Sequence, residues 1–176
     1  MARTPKISHP PVTVAEAPAR GLFDRVAGVL AANDWAFSAQ PEQGVFDLHA
    51  RIQNASVRLF IDVFEAVDWQ CVLVYSIFPV YMPEQRRHEA LEAINGVNYR
   101  LRYGNLEMDL SDGEVRVRTV VEDSEALKEA MIERAIYANL AIGNDHFAAL
   151  MAVAFGADPV HPVLEQLGKD APATRQ

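Results

Sequence analysis

The amino-acid sequence predicts an α+β domain in which helices pack on an antiparallel sheet of five or six strands. Apolar side chains alternate with other side chains at every second residue in two regions, 45–78 and 106–121, which is typical of β-strands. In 18–33 and 124–156 they recur every three or four residues, which is typical of amphipathic helices. Because strands and helices form separate blocks, the pattern favours α+β over a parallel α/β sheet.

The first predicted helix covers residues 18–33, and a short extended piece follows at 35–38. Pro18 suits the first turn of this helix, because proline fixes a helical φ and lacks the N–H that a first turn leaves unpaired. The apolar stripe of the helix consists of Leu22, Val26, Val29 and Leu30.

Three strands are predicted next, over 45–53, 56–64 and 69–78, as an antiparallel meander. The strand at 69–78 is apolar on both faces, and such a strand is expected to be covered on both sides. The predicted core of the sheet includes Leu59, Ile61, Leu73 and Val117.

A second helix is predicted over 83–98, followed by strands at 106–110 and 115–121. The connection between these strands contains Asp112 and Gly113, a pair that tolerates the positive φ of tight hairpin turns.

The last helical region is predicted to begin at Asp123 or Ser124, since either residue can cap a helix. Residues 143–145 are expected to interrupt it, with Asp145 as the cap of a fourth helical segment. Gly156 is the expected C-terminal end of that segment.

These elements predict one domain over residues 18–156. Proline-rich residues 1–17 are expected to form a mobile tail, and residues 157–176 a C-terminal tail in which 163–167 could add a short helix.

Composition limits the partners of the chain. Its 176 residues carry a net charge of −8, which disfavours a broad nucleic-acid surface. Residues 1–20 lack the apolar core of a signal peptide, and no run approaches the roughly 20 apolar residues of a membrane span. We therefore expect a cytoplasmic protein that binds neither nucleic acid nor a membrane.

Arg100, Arg102, Arg116 and Arg118 form a local basic cluster, which we interpret as the solvent face of two strands.

Sequence patterns of catalysis and metal binding are missing. There is no Gly-rich phosphate loop, no HExxH, no Cys/His cluster and no GxSxG, so no catalytic, cofactor-binding or metal-binding residue is predicted. Cys71 lies in an apolar run and is expected to be a buried, structural thiol. The pair Asp145 and His146 comes closest to a site, and we interpret it as structural too.

Several short motifs occur in an order that resembles a known family. Ala93-Ile94-Asn95 is followed by Asn98, Gly104-Asn105-Leu106-Glu107 opens a strand, and 113–118 complete the hairpin. Residues 144–150 then lead to Phe155-Gly156. This order resembles the YbjN-like, type III secretion chaperone-like proteins of bacteria over about residues 20–156.

The resemblance implies a bent antiparallel sheet with helices packed on it, and often a homodimer. It does not imply an enzyme, and it brings no catalytic residue or cofactor to carry over to this chain. It is compatible with a chaperone-like or a regulatory role.

The candidate protein-interaction face is the second apolar face of the predicted sheet. We assign to it the residues Phe60, Phe64, Val72, Val74 and Phe78. A partner, a second copy or a helix of the same chain could cover such a face.

The sequence thus favours a non-enzymatic protein-binding module that acts as a homodimer and holds or regulates another polypeptide. The alternative is a small-ligand-binding protein or an enzyme with a pocket between sheet and helices.

Overall fold

The computed structural model describes residues 21–156, which form three α-helices and six β-strands. The helices are α1 (Leu22–Ala32), α2 (Arg87–Asn98) and α3 (Glu129–Phe155). The strands are β1 (Phe37–Gln40), β2 (Val45–Ile52), β3 (Ala55–Ala66), β4 (Trp69–Ile77), β5 (Asn105–Met108) and β6 (Val115–Asp123). Single 3₁₀ turns lie at Pro41–Gln43 and Glu84–Arg86.

The six strands form one sheet in the order β1-β2-β3-β4-β6-β5, and every neighbouring pair is antiparallel. The sheet is bent, and the three helices pack on it. The predicted α+β class, with a bent antiparallel sheet and packed helices, is confirmed.

The two central strands, β3 and β4, are joined by a turn of two residues. Ala66 pairs with Trp69 across this turn, and the register continues to Phe60 opposite Tyr75 and Arg58 opposite Ile77. A two-residue turn places each even-numbered residue of β3 opposite an odd-numbered residue of β4. This parity decides which side chains of the two strands share a face of the sheet.

All three helices pack on the same face of the sheet. On that face Leu59, Ile61 and Val117 have no exposed surface, as predicted. The predicted burial of Leu73 is wrong, since Leu73 is half-buried. Its neighbour across β3 and β4 is Asp62, so it lies on the opposite face.

The long helix α3 is attached to the centre of this face by polar side chains. Asn139 is fully buried, and its amide donates to the carbonyl oxygen of Val74 at 2.8 Å and to that of Val117 at 3.2 Å. The hydroxyl of Thr119 donates to the carbonyl of Ala135 at 3.0 Å. These bonds fix the position of α3 over β4 and β6, because buried polar groups are costly unless they are paired.

A second hydrogen-bond network holds the start of α1 at the end of the β3–β4 hairpin. The buried Gln70 accepts from Arg25 at 2.7 Å and from the Leu127 amide at 2.9 Å, and donates to Glu65 at 2.6 Å. Glu65 in turn accepts from the Leu22 amide at 2.9 Å. The network joins α1, the hairpin and the segment that precedes α3.

The motif residues in the second half of the chain have structural roles. Gly104 has a φ of +71°, and a Cβ atom there would lie 2.7 Å from Thr119 and 2.9 Å from Ile142. Asn98 donates to the carbonyl of Leu106 at 2.9 Å and accepts from its amide at 2.8 Å. Because both groups of Leu106 point away from β6, Asn98 occupies the edge hydrogen-bonding groups of this residue.

The predicted interruption of the last helix is wrong. α3 begins at Glu129 and runs without a break through residues 143–145 to Phe155. Asp145 lies inside the helix and caps nothing. The helix continues because its buried face continues on both sides of Gly143, with Ile142 before it and Phe147 after it.

The start of α3 also differs from the prediction. Neither Asp123 nor Ser124 caps it, because Asp123 still belongs to β6 and the N-terminal flanking residue is Lys128. The Leu127 amide donates to the side chain of Gln70 in the segment that precedes the helix.

Other predicted boundaries differ by a few residues. Leu110 lies outside β5, and β3 extends two residues beyond 64. The predictions for Pro18, for the tail at 1–17 and for the tail at 157–176 fall outside the described residues.

The packing predicts that replacing Leu59 with alanine lowers the free energy of unfolding more than replacing Leu110 does. Leu59→Ala removes a fully buried side chain and should lower the free energy of unfolding by about 2–5 kcal/mol. Leu110→Ala, at a position that is 55% exposed, is the matched control and should cost less than about 1 kcal/mol. Chemical denaturation of both at one protein concentration tests this, and equal losses would contradict the assignment of the core face.

Candidate functional site

The second face of the sheet carries no helix of the described residues. It presents a band of apolar side chains from the central strands β3, β4 and β6, and we call this surface the open face. Its apolar members are Phe60, Phe64, Trp69, Leu73, Tyr75, Ile77 and Val120.

Exposure is greatest on the half of the open face that runs from its centre to the β3–β4 turn. Phe64 is 45% exposed, Trp69 is 41% exposed and Val120 is 40% exposed. Phe60 and Tyr75, near the other end, are half-buried. These three exposed side chains lie on three neighbouring strands, with Cys71 and Leu73 of the open face between them, and exposed apolar surface of this kind is the usual signature of an interaction surface.

Three arginines occupy the other end of the open face, and we call it the arginine end. Arg58 forms an ion pair with Asp47 at 2.6 Å, and its guanidinium lies 4.4 Å from the ring centroid of Phe60. Arg116 and Arg118 share Glu107, at 2.8 and 3.1 Å. The Arg116 guanidinium also lies 4.7 Å above the ring of Tyr75. The arginines therefore cover the aromatic rings at this end.

The carboxylates at the arginine end stay ionised. The hydrogen bond from Arg58 lowers the pKa of Asp47. Burial acts to raise the pKa of Glu107, but hydrogen bonds from Asn105 and Arg116 and the charges of Arg118 and Arg116 outweigh it, so the pKa is lowered. Of the predicted basic cluster, Arg116 and Arg118 thus lie on a strand face paired with acidic neighbours.

Two carboxylates, Asp62 and Glu122, lie on the half of the open face toward the β3–β4 turn, and we call this half the acidic end. Asp62 is opposite Leu73 in the middle of the face, and Glu122 is opposite Cys71, nearer the turn. Neither forms an ion pair with a described residue. The indole N–H of Trp69 donates to Glu122 at 3.3 Å. Burial raises the pKa of Asp62, and the charge of Arg116 only partly opposes this.

The structure separates the five residues assigned to the candidate interaction face. Phe60 and Phe64 lie on the open face. Val72 and Val74 have no exposed surface and face the helices, and Phe78 is 1% exposed with its ring 5.4 Å from that of Phe147. Placing Val72, Val74 and Phe78 beside Phe60 and Phe64 is wrong.

The five residues separate because the two-residue turn between β3 and β4 decides which side chains of the two strands share a face. Phe60 pairs with Tyr75 and Phe64 with Cys71, so the odd-numbered side chains of β4 accompany the two phenylalanines. The predicted face therefore lacked Trp69, Leu73 and Tyr75. Centring the hairpin on Val67 and Asp68 would have found them, because that choice fixes the register.

The candidate reactive groups are engaged in packing. Cys71 is buried, and both burial and the charge of Glu122 raise the pKa of its thiol, which disfavours the reactive thiolate. Burial lowers the pKa of His146, against the charge of Asp145. Asp145 itself is exposed, and the two residues form no hydrogen-bonded pair with each other among the bonds of residues 21–156.

Shallow hollows lie away from the helix–sheet interface. One, of about 490 Å³, is lined by Glu107, Met108, Asp109, Leu110, Glu114 and Arg116. Glu107 is held by arginines, and Asp109 accepts from the amide and hydroxyl of Ser111, both at 2.7 Å. A second, of about 470 Å³, is lined by residues of 34–38 and 47–49.

Within the described part of the chain, no group of three His, Cys, Asp or Glu side chains is arranged to hold a metal ion. No helix between residues 21 and 156 has the length and apolar content needed to cross a membrane.

The shared carboxylate of Glu107 gives a pH-dependent prediction. Its pKa is lowered in the folded protein, so its stabilisation is present above the unfolded-state pKa and is lost as the pH falls through the folded-state pKa. Glu107→Gln should therefore lower the free energy of unfolding by roughly 1 kcal/mol at pH 7, and by progressively less toward pH 2.

Unfolding measurements across this pH range test the prediction. Glu92→Gln is the control, since Glu92 is exposed on α2 and takes part in no ion pair of the described residues. A loss for Glu107→Gln that does not change with pH would show that its ion pairs do not stabilise the fold.

Comparison with known proteins now gives the family. No curated protein matches the chain. A solved structure titled "Crystal structure of YbjN, a putative transcription regulator from E. coli" is similar, with 8% sequence identity and a TM-score of 0.46, over 72% of this chain and 91% of that one.

The family model of YbjN, described as "Putative bacterial sensory transduction regulator", matches residues 22–151. This range covers most of the chain and nearly all of the described fold, from the first residue of α1 to the last turns of α3. The chain belongs to the YbjN family.

Proposed function

We propose that this chain is a non-enzymatic regulator that acts by binding proteins, and that its first partner is a second copy of itself. The observation that carries the proposal is the open face, a sheet surface that no described helix covers. Its exposed apolar patch at Phe64, Trp69 and Val120 is of the kind that a protein partner buries.

The energetics of the open face support an interface. Burying one large apolar side chain contributes roughly 1.5–3 kcal/mol. Together with the adjoining β2, the strands β3, β4 and β6 of the open face are about 4.8 Å apart and roughly nine residues long, and they present about 600 Å² in projection. A standard stable interface buries about 800 Å² of accessible surface on each partner, and the corrugated accessible surface of side chains exceeds their projected area. The open face is therefore large enough for a homodimer.

The state of the polar groups supports a non-enzymatic role. An active site needs convergent polar groups in a pocket, with at least one free to react. Of the carboxylates that line the larger hollow, Glu107 is held by arginines and Asp109 by Ser111. No observation on the described residues favours the alternative of an enzyme or a small-ligand pocket.

The regulatory part of the proposal rests on the family description. A chaperone-like activity, in which the homodimer holds another polypeptide, and a cytoplasmic location both stay predictions. Among the described residues β1 pairs with β2 alone, and Asn98 occupies the edge groups of Leu106 on β5, so β1 is the sheet edge where such a polypeptide could add a strand.

Charged substitutions on the open face test the homodimer. Phe60→Asp with Phe64→Asp should give a folded monomer, because two carboxylates would have to be buried without partners. Sedimentation analysis at micromolar concentration measures the association state. Tyr99→Asp is the matched control, since Tyr99 is 91% exposed at the end of α2, and it should leave the dimer intact.

Because Phe60 is half-buried, its replacement by aspartate could unfold the subunit itself, so a second double variant avoids this residue. Phe64→Asp with Val120→Asp changes two side chains that are each at least 40% exposed and should also give a folded monomer. A wild type that is monomeric at micromolar concentration, or a dimer that both double variants leave intact, would contradict the proposal.

A further inference from the structure

The charges of the open face are separated along the strand direction. Arg58, Arg116 and Arg118 lie at the arginine end, where the two carboxylates Asp47 and Glu107 pair with them. One guanidinium there is therefore in excess. The acidic end holds the two carboxylates described above, and they have no ion-pair partner among the described residues.

On β6 this separation is seen within one strand. Arg118, Val120 and Glu122 are successive residues on the open face, because side chains of a strand alternate between its faces. Val120 pairs with Leu73, which pairs with Asp62 on its other side. On β6 itself, Arg118 of the arginine end and Glu122 of the acidic end thus flank an apolar side chain.

Two copies can stack their open faces about a two-fold axis in two ways. An axis parallel to the strands places each end of the face on the same end of the partner. An axis that runs across the strands places the arginine end of one copy on the acidic end of the other, twice. The two arrangements bury a similar apolar surface and differ in the sign of their charge contacts.

We infer that the open face is self-complementary and pairs with a second copy about a two-fold axis that runs across the strands. This inference rests on the proposed homodimer and specifies how its partner is placed. The two sheets stack about 10 Å apart, with the excess guanidinium of each copy directed at the acidic end of the other.

Desolvation decides between the two axes. A charge that leaves water without a partner is costly, and an axis along the strands would place the acidic end of each copy on the acidic end of the other. With the axis across the strands, Glu122 meets guanidinium groups of the partner, which also stack well on the exposed rings of Phe64 and Trp69. Electrostatic complementarity of this kind fixes the orientation of an interface.

The wild-type chain tests the inference without any substitution. Sedimentation equilibrium from about 50 to 500 mM NaCl should show a dimer that weakens severalfold, because salt screens attraction between unlike charges. A dimer that tightens with salt would indicate like charges in contact, and would overturn the proposed axis while leaving the homodimer itself intact.

Charge reversal tests it at named positions. Glu122→Arg and Arg118→Glu should each raise the dimer dissociation constant at least tenfold, since each places like charges in contact twice. An equimolar mixture of the two variants should form a heterodimer of wild-type affinity, because every contact in it again joins unlike charges. Glu92→Arg, on the exposed surface of α2, is the control and should leave the dissociation constant unchanged.

The axis along the strands predicts a different set of results. Each variant would then dimerise as the wild type does and would bind the wild type more tightly than itself, which would overturn the inference. A wild type that is monomeric, and that dimerises when residues 2–20 are deleted, would show that the N-terminal segment occupies the face, and would overturn both proposals.

Discussion

The two-residue turn between β3 and β4 is the constraint on which the rest of the structure depends. It sets the register in which Phe60 lies opposite Tyr75, and a shift by one residue would move every side chain of one strand to the other face. The register places Ile61 and Val74 under the helices and leaves Phe64 on the open face. The core and the candidate interface are therefore two consequences of one local geometry.

The described helices cover only one of the two sheet faces that this register creates. α3 is fixed to the centre of the sheet by the buried Asn139, and the network at Gln70 holds α1 beside it, so neither helix can move across to the open face without breaking buried hydrogen bonds. At the β5 edge, Asn98 pairs with both backbone groups of Leu106. Face-to-face pairing of sheets remains the simplest way to cover the exposed apolar surface.

Periodicity predicted the α+β class and each strand because alternation follows directly from strand geometry. It could not show which side chains of neighbouring strands share a face, because that depends on the length of the turn between them. For this reason Val72 and Val74 were assigned to the wrong face and Trp69 was left out. It also predicted a break at Gly143, because glycine is a weak helix former. Packing of the flanking Ile142 and Phe147 outweighs that local preference, and only the tertiary structure shows it.

The emission of Trp69, measured against protein concentration, tests most directly that the open face is the interface. The sequence has two tryptophans, so a Trp35→Phe background isolates the signal of Trp69, which is 41% exposed in the single chain. We expect blue-shifted emission at micromolar concentration that moves to the red on dilution, in parallel with dissociation of the dimer. Emission that stays constant while the dimer dissociates would place the interface elsewhere and contradict the account.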